Sequence, residues 1–192
     1  MEQICRDHPT MNAYPYVLIA FGSALWAAPF LLNRNKGQVL IRIEKRARWG
    51  VLLQCLAYSI LWQSDFWKKS PEHWRTTVAF CFFALACLIS WSAARSLGRQ
   101  FRFDAAVDSA HMLVRSGPYR IVRHPIYTSM FCVLLATGIV VSPLKLLLAS
   151  IAVFAVGAFI RMKIEDNLLL AQFGAEFVEY QQRVPGFLPF IK

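Results

Sequence analysis

Residues 126–160 read IYTSMFCVLLATGIVVSPLKLLLASIAVFAVGAFI, thirty-five positions with a single charged side chain, Lys145. The apolar residues run on without the every-other-residue alternation of a half-buried strand, which makes the stretch helical. It is too long for one crossing, because a bilayer core of about 30 Å needs roughly 20 residues of helix. Ser142 and Pro143 divide it, since proline cannot donate a backbone N–H inside a helix. The stretch therefore predicts two membrane helices, 126–141 and 144–160, joined as a tight hairpin.

The same criterion picks out three earlier runs, 14–32, 49–67 and 77–94. With the hairpin they predict an all-α integral membrane protein of five transmembrane helices. Only helices or closed barrels satisfy every backbone group in lipid, and the unbroken apolar runs favour helices. Composition agrees: of 192 residues 57% are hydrophobic and 17% charged, against roughly 25% charged in soluble domains. There is no repeat, low-complexity tract or separate soluble domain. The expectation is one membrane domain over 1–192, with three spans in 1–94 and the chemistry in 95–192.

Lysine and arginine outnumber aspartate and glutamate by 21 to 11. The basic residues lie between apolar runs, so their expected counter-charge is anionic lipid and not nucleic acid. Segments 33–48, 95–125 and 161–192 carry six, six and four Lys or Arg, and the intervening segments five in total. The positive-inside rule then puts the N-terminus outside and the C-terminus in the cytoplasm. Glu2, Arg6 and Asp7 precede the first apolar run, which lacks the net-positive start of a cleaved signal peptide and is expected to remain. The stretch 36–49, with Val39, Leu40, Ile41 and Ile43 among basic residues, suits the membrane interface. So does 165–182, where Leu169, Phe173, Phe177 and Tyr180 recur at helical spacing.

Nucleotide-binding glycine loops, H-E-x-x-H and G-x-S-x-G are all absent. Cys55, Cys81, Cys87 and Cys132 fall in apolar runs without zinc-ligand spacing and are read as core residues; no metal site is expected. Polar chemistry is concentrated in two distant segments. HMLVRSGPYRIVRHPIY, 111–127, holds His111, Tyr119, Arg123, His124 and Tyr127; RMKIED, 161–166, holds Arg161 and Glu165, four apart on one helix face. Two readings stand for each. Proline at a helix start, arginine and tyrosine serve as interfacial anchors, and Arg161 with Glu165 makes a surface ion pair. Alternatively the two segments build one site, with charges at the membrane edge retained for function.

The order HMLVRSGPYRIVRHPIY, hydrophobic hairpin, RMKIEDNLLLAQFGAEFVEYQQRVPGFLPFI closely resembles the isoprenylcysteine carboxyl methyltransferases, a group of integral-membrane methyltransferases. The resemblance covers 96–191; the first three spans match only in hydrophobic character. It implies S-adenosylmethionine as cofactor, held by His111, Met112, Leu113, Val114, Tyr119, His124, Pro125, Ile126, Tyr127 and Glu165. It also implies that Arg161 meets the substrate carboxylate, and Arg161, Glu165 and Arg123 form the expected catalytic set. Two positions depart from the group: Ser129 replaces a glycine, and Asp166 replaces a second glutamate, leaving the role of 166 open.

A carboxylate with a pKa near 4 is ionised at neutral pH, so its methylation needs alignment and desolvation and no general base. The expected function is methyl transfer to the C-terminal carboxylate of an isoprenylcysteine-type acceptor that enters from the bilayer. A phospholipid amine or small thiol as acceptor, and an NADPH-dependent membrane reductase, are the alternatives. The expected membrane is a bacterial cytoplasmic one in preference to the endoplasmic reticulum, with the site on the cytoplasmic face.

Overall fold

The computed structural model describes residues 13–32, 42–43, 46–65, 71–98, 106–107 and 113–189. Six α-helices make up nearly all of it: α1 Tyr14–Leu32, α2 Ala47–Leu61, α3 His73–Leu97, α4 Pro125–Val141, α5 Leu144–Phe173 and α6 Ala175–Arg183, with a 3₁₀ turn at Gly117–Arg120. Two-residue strands β1, Arg42–Ile43, and β2, Ala106–Val107, pair antiparallel. The helices α1, α3 and α5, of 19, 25 and 30 residues, are long and apolar enough to cross a membrane, while α2 and α4 are shorter apolar helices.

The predicted boundaries need three corrections. The second run, expected over 49–67, is helical over Ala47–Leu61 and has left the helix by 62–65, while 66–67 lie outside the described residues. The fifth does not stop at 160: RMKIEDNLLLAQF contains no helix breaker, so α5 continues to Phe173. Gly174, at φ +52° and ψ −125°, makes the turn there, in a backbone region open to glycine and little else. The interfacial helix expected over 165–182 is thus the end of α5 followed by α6. The hairpin also packs differently. Ser142 and Pro143 do join α4 to α5, yet α4 lies mainly on α3, and α5 mainly on α2.

Small side chains make those pairings close. The buried face of α3 runs Thr76, Ala79, Phe83, Ala86, Ser90, Ala93, a spacing of three and four that keeps one seam against α4 and α1. Between α2 and α5 the backbones themselves touch. A Cβ added to Gly157 would lie 2.8 Å from Gly50 O and 2.9 Å from Leu53 Cβ, and one added to Gly50 would collide with the Arg161 side chain. Glycine at both positions lets α5 carry Arg161 flat against α2.

α4 is the inner helix, with twelve of its 17 residues buried, against five of 19 in α1. The surrounding helices turn Val17, Phe21, Leu52, Leu56, Leu85, Leu88, Val156 and Phe159 outward. Large apolar side chains on so much of the outer surface mark helices solvated by lipid; the chain is a membrane protein. Described ends of the basic segments meet at one rim. The start of α2 meets Arg161, and Gly117 meets Ser96 near the end of α3, while Arg123 meets Asp166.

Candidate active site at one rim of the bundle

The site is built where α4 begins and α5 passes beside it. Pro125 occupies the first turn of α4, where its missing N–H costs nothing. The two residues before it are held by the C-terminal segment: Arg123 N donates to Pro185 O at 2.9 Å and His124 N to Gly186 O at 3.0 Å. One turn into α4, the Thr128 hydroxyl donates to Phe187 O at 2.6 Å. The backbone of Pro185, Gly186 and Phe187 is therefore what fixes the RHP segment in place.

Side chains from the two segments then interlock. The Tyr127 hydroxyl donates to Glu165 Oε1 and accepts from Arg161 Nε at 2.6 Å. Arg161 Nη2 also donates to Glu165 Oε1 at 3.1 Å. His124 faces both carboxylates, Nε2 at 2.9 Å from Asp166 Oδ1 and Nδ1 at 3.6 Å from Glu165 Oε2. Arg123 Nη2 is 3.3 Å from Asp166 Oδ2, which also accepts from Gln181 Nε2 at 3.3 Å. Burial works against a charged His124, but hydrogen bonds to Asp166 and Glu165, and their charges, hold it above its ordinary value.

Tyr119 is buried beside this network. Burial, and after it the Glu165 charge, pushes its phenol upward. Its backbone carbonyl accepts from Tyr180 Oη at 2.6 Å, and the Tyr180 hydroxyl is raised to about 12, chiefly by burial. α6 is further held by Arg115, whose Nη2 lies 2.6 Å from Glu176 Oε1. Leu113 packs on Phe177, Tyr180 and Val184.

Of the predicted site residues, Arg123, His124, Tyr127, Arg161 and Glu165 come together in one network, with Tyr119 and Pro125 at its border. Val114 is half-buried with Leu113 in the segment leading to the 3₁₀ turn. Ile126 turns away and packs with Phe30 and Ala94. His111 and Met112 lie outside the described residues. Asp166, whose role was open, bridges Arg123, His124 and Gln181. Ser129 accepts a 3.0 Å hydrogen bond from Trp26 Nε1 and ties α1 to α4, a contact that a glycine could not make. Gln181 and Tyr180 were missed, since their distance in sequence from 119 and 166 gave no sign of contact. Among the described residues no cluster of His, Cys, Asp and Glu suits a metal ion.

A lipid-solvated helical bundle that gathers two arginines, a histidine and two carboxylates at one edge defines a membrane protein with a polar site open to the rim. The comparisons with known proteins give that class its chemistry. The family described as phospholipid methyltransferase matches residues 74–176, more than half of the chain, and the chain belongs to that family. Among its relatives are protein-S-isoprenylcysteine O-methyltransferases. Form B from Arabidopsis thaliana is 27% identical over 78% of this chain and 76% of its own length. The Tribolium castaneum protein is 32% identical over 62% of this chain and 43% of its own length. The Saccharomyces cerevisiae protein is 28% identical over 84% of this chain and 67% of its own length. The resemblance drawn from 96–191 is thereby borne out, and the chain is a methyltransferase.

Proposed function

We propose that the protein transfers a methyl group from S-adenosylmethionine to the C-terminal carboxylate of an isoprenylcysteine-type acceptor that reaches the rim from the bilayer. The observation that carries this reading is the Arg161–Tyr127–Glu165 triad, in which one hydroxyl joins a cationic group suited to the acceptor to an anionic group suited to the cofactor.

The donors and acceptors at the rim fit that cofactor. Arg123 keeps Nε and Nη1 buried without a hydrogen-bond partner among the described residues, leaving donors for the carboxylate of an amino-acid group. Glu165 and Asp166 are acceptors for ammonium or ribose hydroxyls, and the rings of Tyr119 and Tyr127 offer faces to a sulfonium. When bound, S-adenosylmethionine supplies an electrophilic methyl group. Arg161 orients the acceptor carboxylate, Glu165 and Arg123 orient the donor, and the buried floor of Tyr127 and Pro125 excludes water from between them. No residue is required to take a proton, so the reaction makes no demand on the His124–Asp166 pair as a general base.

The same reading holds the protein as one membrane domain of five crossings, N-terminus outside and site on the cytoplasmic face, with anionic lipid against the basic segments. The 16-to-5 distribution of Lys and Arg and the gathering of these segments at one rim support it. At 1.5 Å per residue α2 and α4 reach about 22–26 Å, so the bundle suits a locally thinned bilayer. Between membranes, a bacterial cytoplasmic one is our preference over the endoplasmic reticulum.

Purified protein incubated with methyl-labelled S-adenosylmethionine and N-acetyl-S-farnesylcysteine should form a base-labile methyl ester. The family description makes an amine headgroup the second reading. Label in phosphatidylethanolamine in place of the ester, at a rate that falls steeply below the amine pKa, would establish that acceptor instead.

A further inference from the structure

The buried face of α2 reads Ala47, Gly50, Gln54, Ala57, Leu61, four small or apolar residues and one primary amide. Gln54 is 4% exposed, and its Nε2 is buried with no hydrogen-bond partner among the described residues. An unpaired donor in an apolar interior is a standing cost that leucine at the same place would not carry.

The surroundings indicate what the donor meets. Gln54 stands on the α2–α5 seam, its backbone N 3.2 Å from where a Cβ on Gly157 would lie. One turn toward the rim on α2 is Gly50, against the Arg161 stem, and one turn toward the rim from Gly157 on α5 is Arg161 itself. The amide and the guanidinium thus share one seam, with Gln54 about 5.4 Å deeper in the bundle. Further along α2, Tyr58 is already satisfied, donating to Met130 O at 2.7 Å.

We infer that Gln54 is an acceptor-binding residue whose side-chain amide donates to the carbonyl of the acyl-amide group next to the acceptor carboxylate. The inference rests on the proposed function, in which Arg161 holds that carboxylate. An isoprenylcysteine with its carboxylate at Arg161 and its hydrocarbon in the bilayer passes its middle through the depth of Gln54. Of the polar groups there, the amide carbonyl is a strong acceptor and the thioether a weak one. Gln54 therefore favours an amino-acid-derived acceptor over a simple lipophilic acid.

Gln54→Leu removes the amide at similar size. Native and variant protein are compared on N-acetyl-S-farnesylcysteine, which has the acyl amide, and on S-farnesylthiopropionate, which lacks it, with S-adenosylmethionine affinity measured separately by calorimetry. In the variant, kcat/KM for the acylated acceptor should fall about tenfold, chiefly through KM. The amide-free acceptor and the cofactor should be unaffected. Equal loss on both acceptors, or no loss on either, overturns the inference and leaves methyl transfer standing; failure of the native protein on both overturns the two together. Gln54→Met, apolar and unbranched, gives the same comparison should the leucine variant not purify as a folded protein.

Discussion

Replacing Asp166 by asparagine keeps the side chain's shape and removes one of two negative charges from the rim. The native Oδ1 lies 2.9 Å from His124 Nε2, and Oδ2 lies 3.3 Å from Arg123 Nη2 and from Gln181 Nε2. Arg123 and His124 are only 12% and 6% exposed, so water screens little of what is lost. Hydrogen bonds to charged partners are worth about 1.5–3 kcal/mol, and the asparagine oxygen retains part of one. The net expected cost is about 2 kcal/mol, equivalent to about 4–8 °C of melting temperature at this chain length. His124 adds a pH signature. Its folded value is raised, with the Asp166 hydrogen bond the largest of the raising causes. Its contribution to stability is therefore full below the unfolded value of about 6.5 and is lost as pH rises through the folded value. In Asp166→Asn that contribution shrinks, so the deficit against native protein should be greatest near about pH 6 and narrow toward about pH 9. Thermal unfolding of both proteins in one detergent, followed by tryptophan fluorescence across that range, measures it. A deficit that stays constant or grows with pH would refute the assignment of His124 to Asp166.

Glu165→Gln should raise the Kd for S-adenosylmethionine by about 10- to 100-fold, with the protein still monodisperse, because a charged acceptor is lost; calorimetry reads this, and unchanged affinity would remove Glu165 from the cofactor site. Arg161→Ala should leave cofactor affinity in place and raise the acceptor KM at least about tenfold, so steady-state kinetics with varied acceptor decide the role of Arg161. Gly157→Ala would put a Cβ 2.8 Å from Gly50 O, parting α2 from α5 at a cost of about 1–3 kcal/mol, visible as a lower melting temperature. Ser129→Gly should cost about 1 kcal/mol through the lost Trp26 hydrogen bond, and Trp26→Phe should cost less in that background than alone, an equal cost in the two refuting the coupling.

The helices were legible because lipid imposes one rule on all of them, a continuous apolar run, and the runs around Ser142 and Pro143 could hardly be read otherwise. The end of α5 was not legible. The rule says where the apolar run stops, and α5 leaves its apolar run at Arg161 without leaving the helix, which stops only at Gly174. Helix partners were hidden for a different reason. Gly50 and Gly157 read as two glycines in apolar runs, and only their meeting shows that α5 lies on α2. At the site, the motif residues could be named from 123, 124, 127, 161 and 165. Asp166 could not be assigned, because its partners come from a motif 42 residues earlier and from Gln181, 15 residues later, which carries no mark of its own. The clasp of Arg123 and His124 by Pro185 and Gly186 runs through backbone atoms, which side-chain patterns do not reveal.

Tyr127 explains why two segments so far apart are needed at one edge. Its hydroxyl has one proton to give and gives it to Glu165, while its lone pair receives Arg161 Nε. The direction of the guanidinium and that of the carboxylate are consequently set together. In the proposed reaction Arg161 serves the acceptor and Glu165 the cofactor, and an in-line displacement tolerates little misalignment between the two. A hydroxyl that fixes both through hydrogen bonds does so without adding charge to a place where charge is expensive. The surrounding ionic groups then need only balance one another. Arg123, Arg161 and His124 face Asp166 and Glu165, so the network itself carries little net charge. Gly50 leaves room beside α2 for the Arg161 stem, whose guanidinium reaches Tyr127 and Glu165.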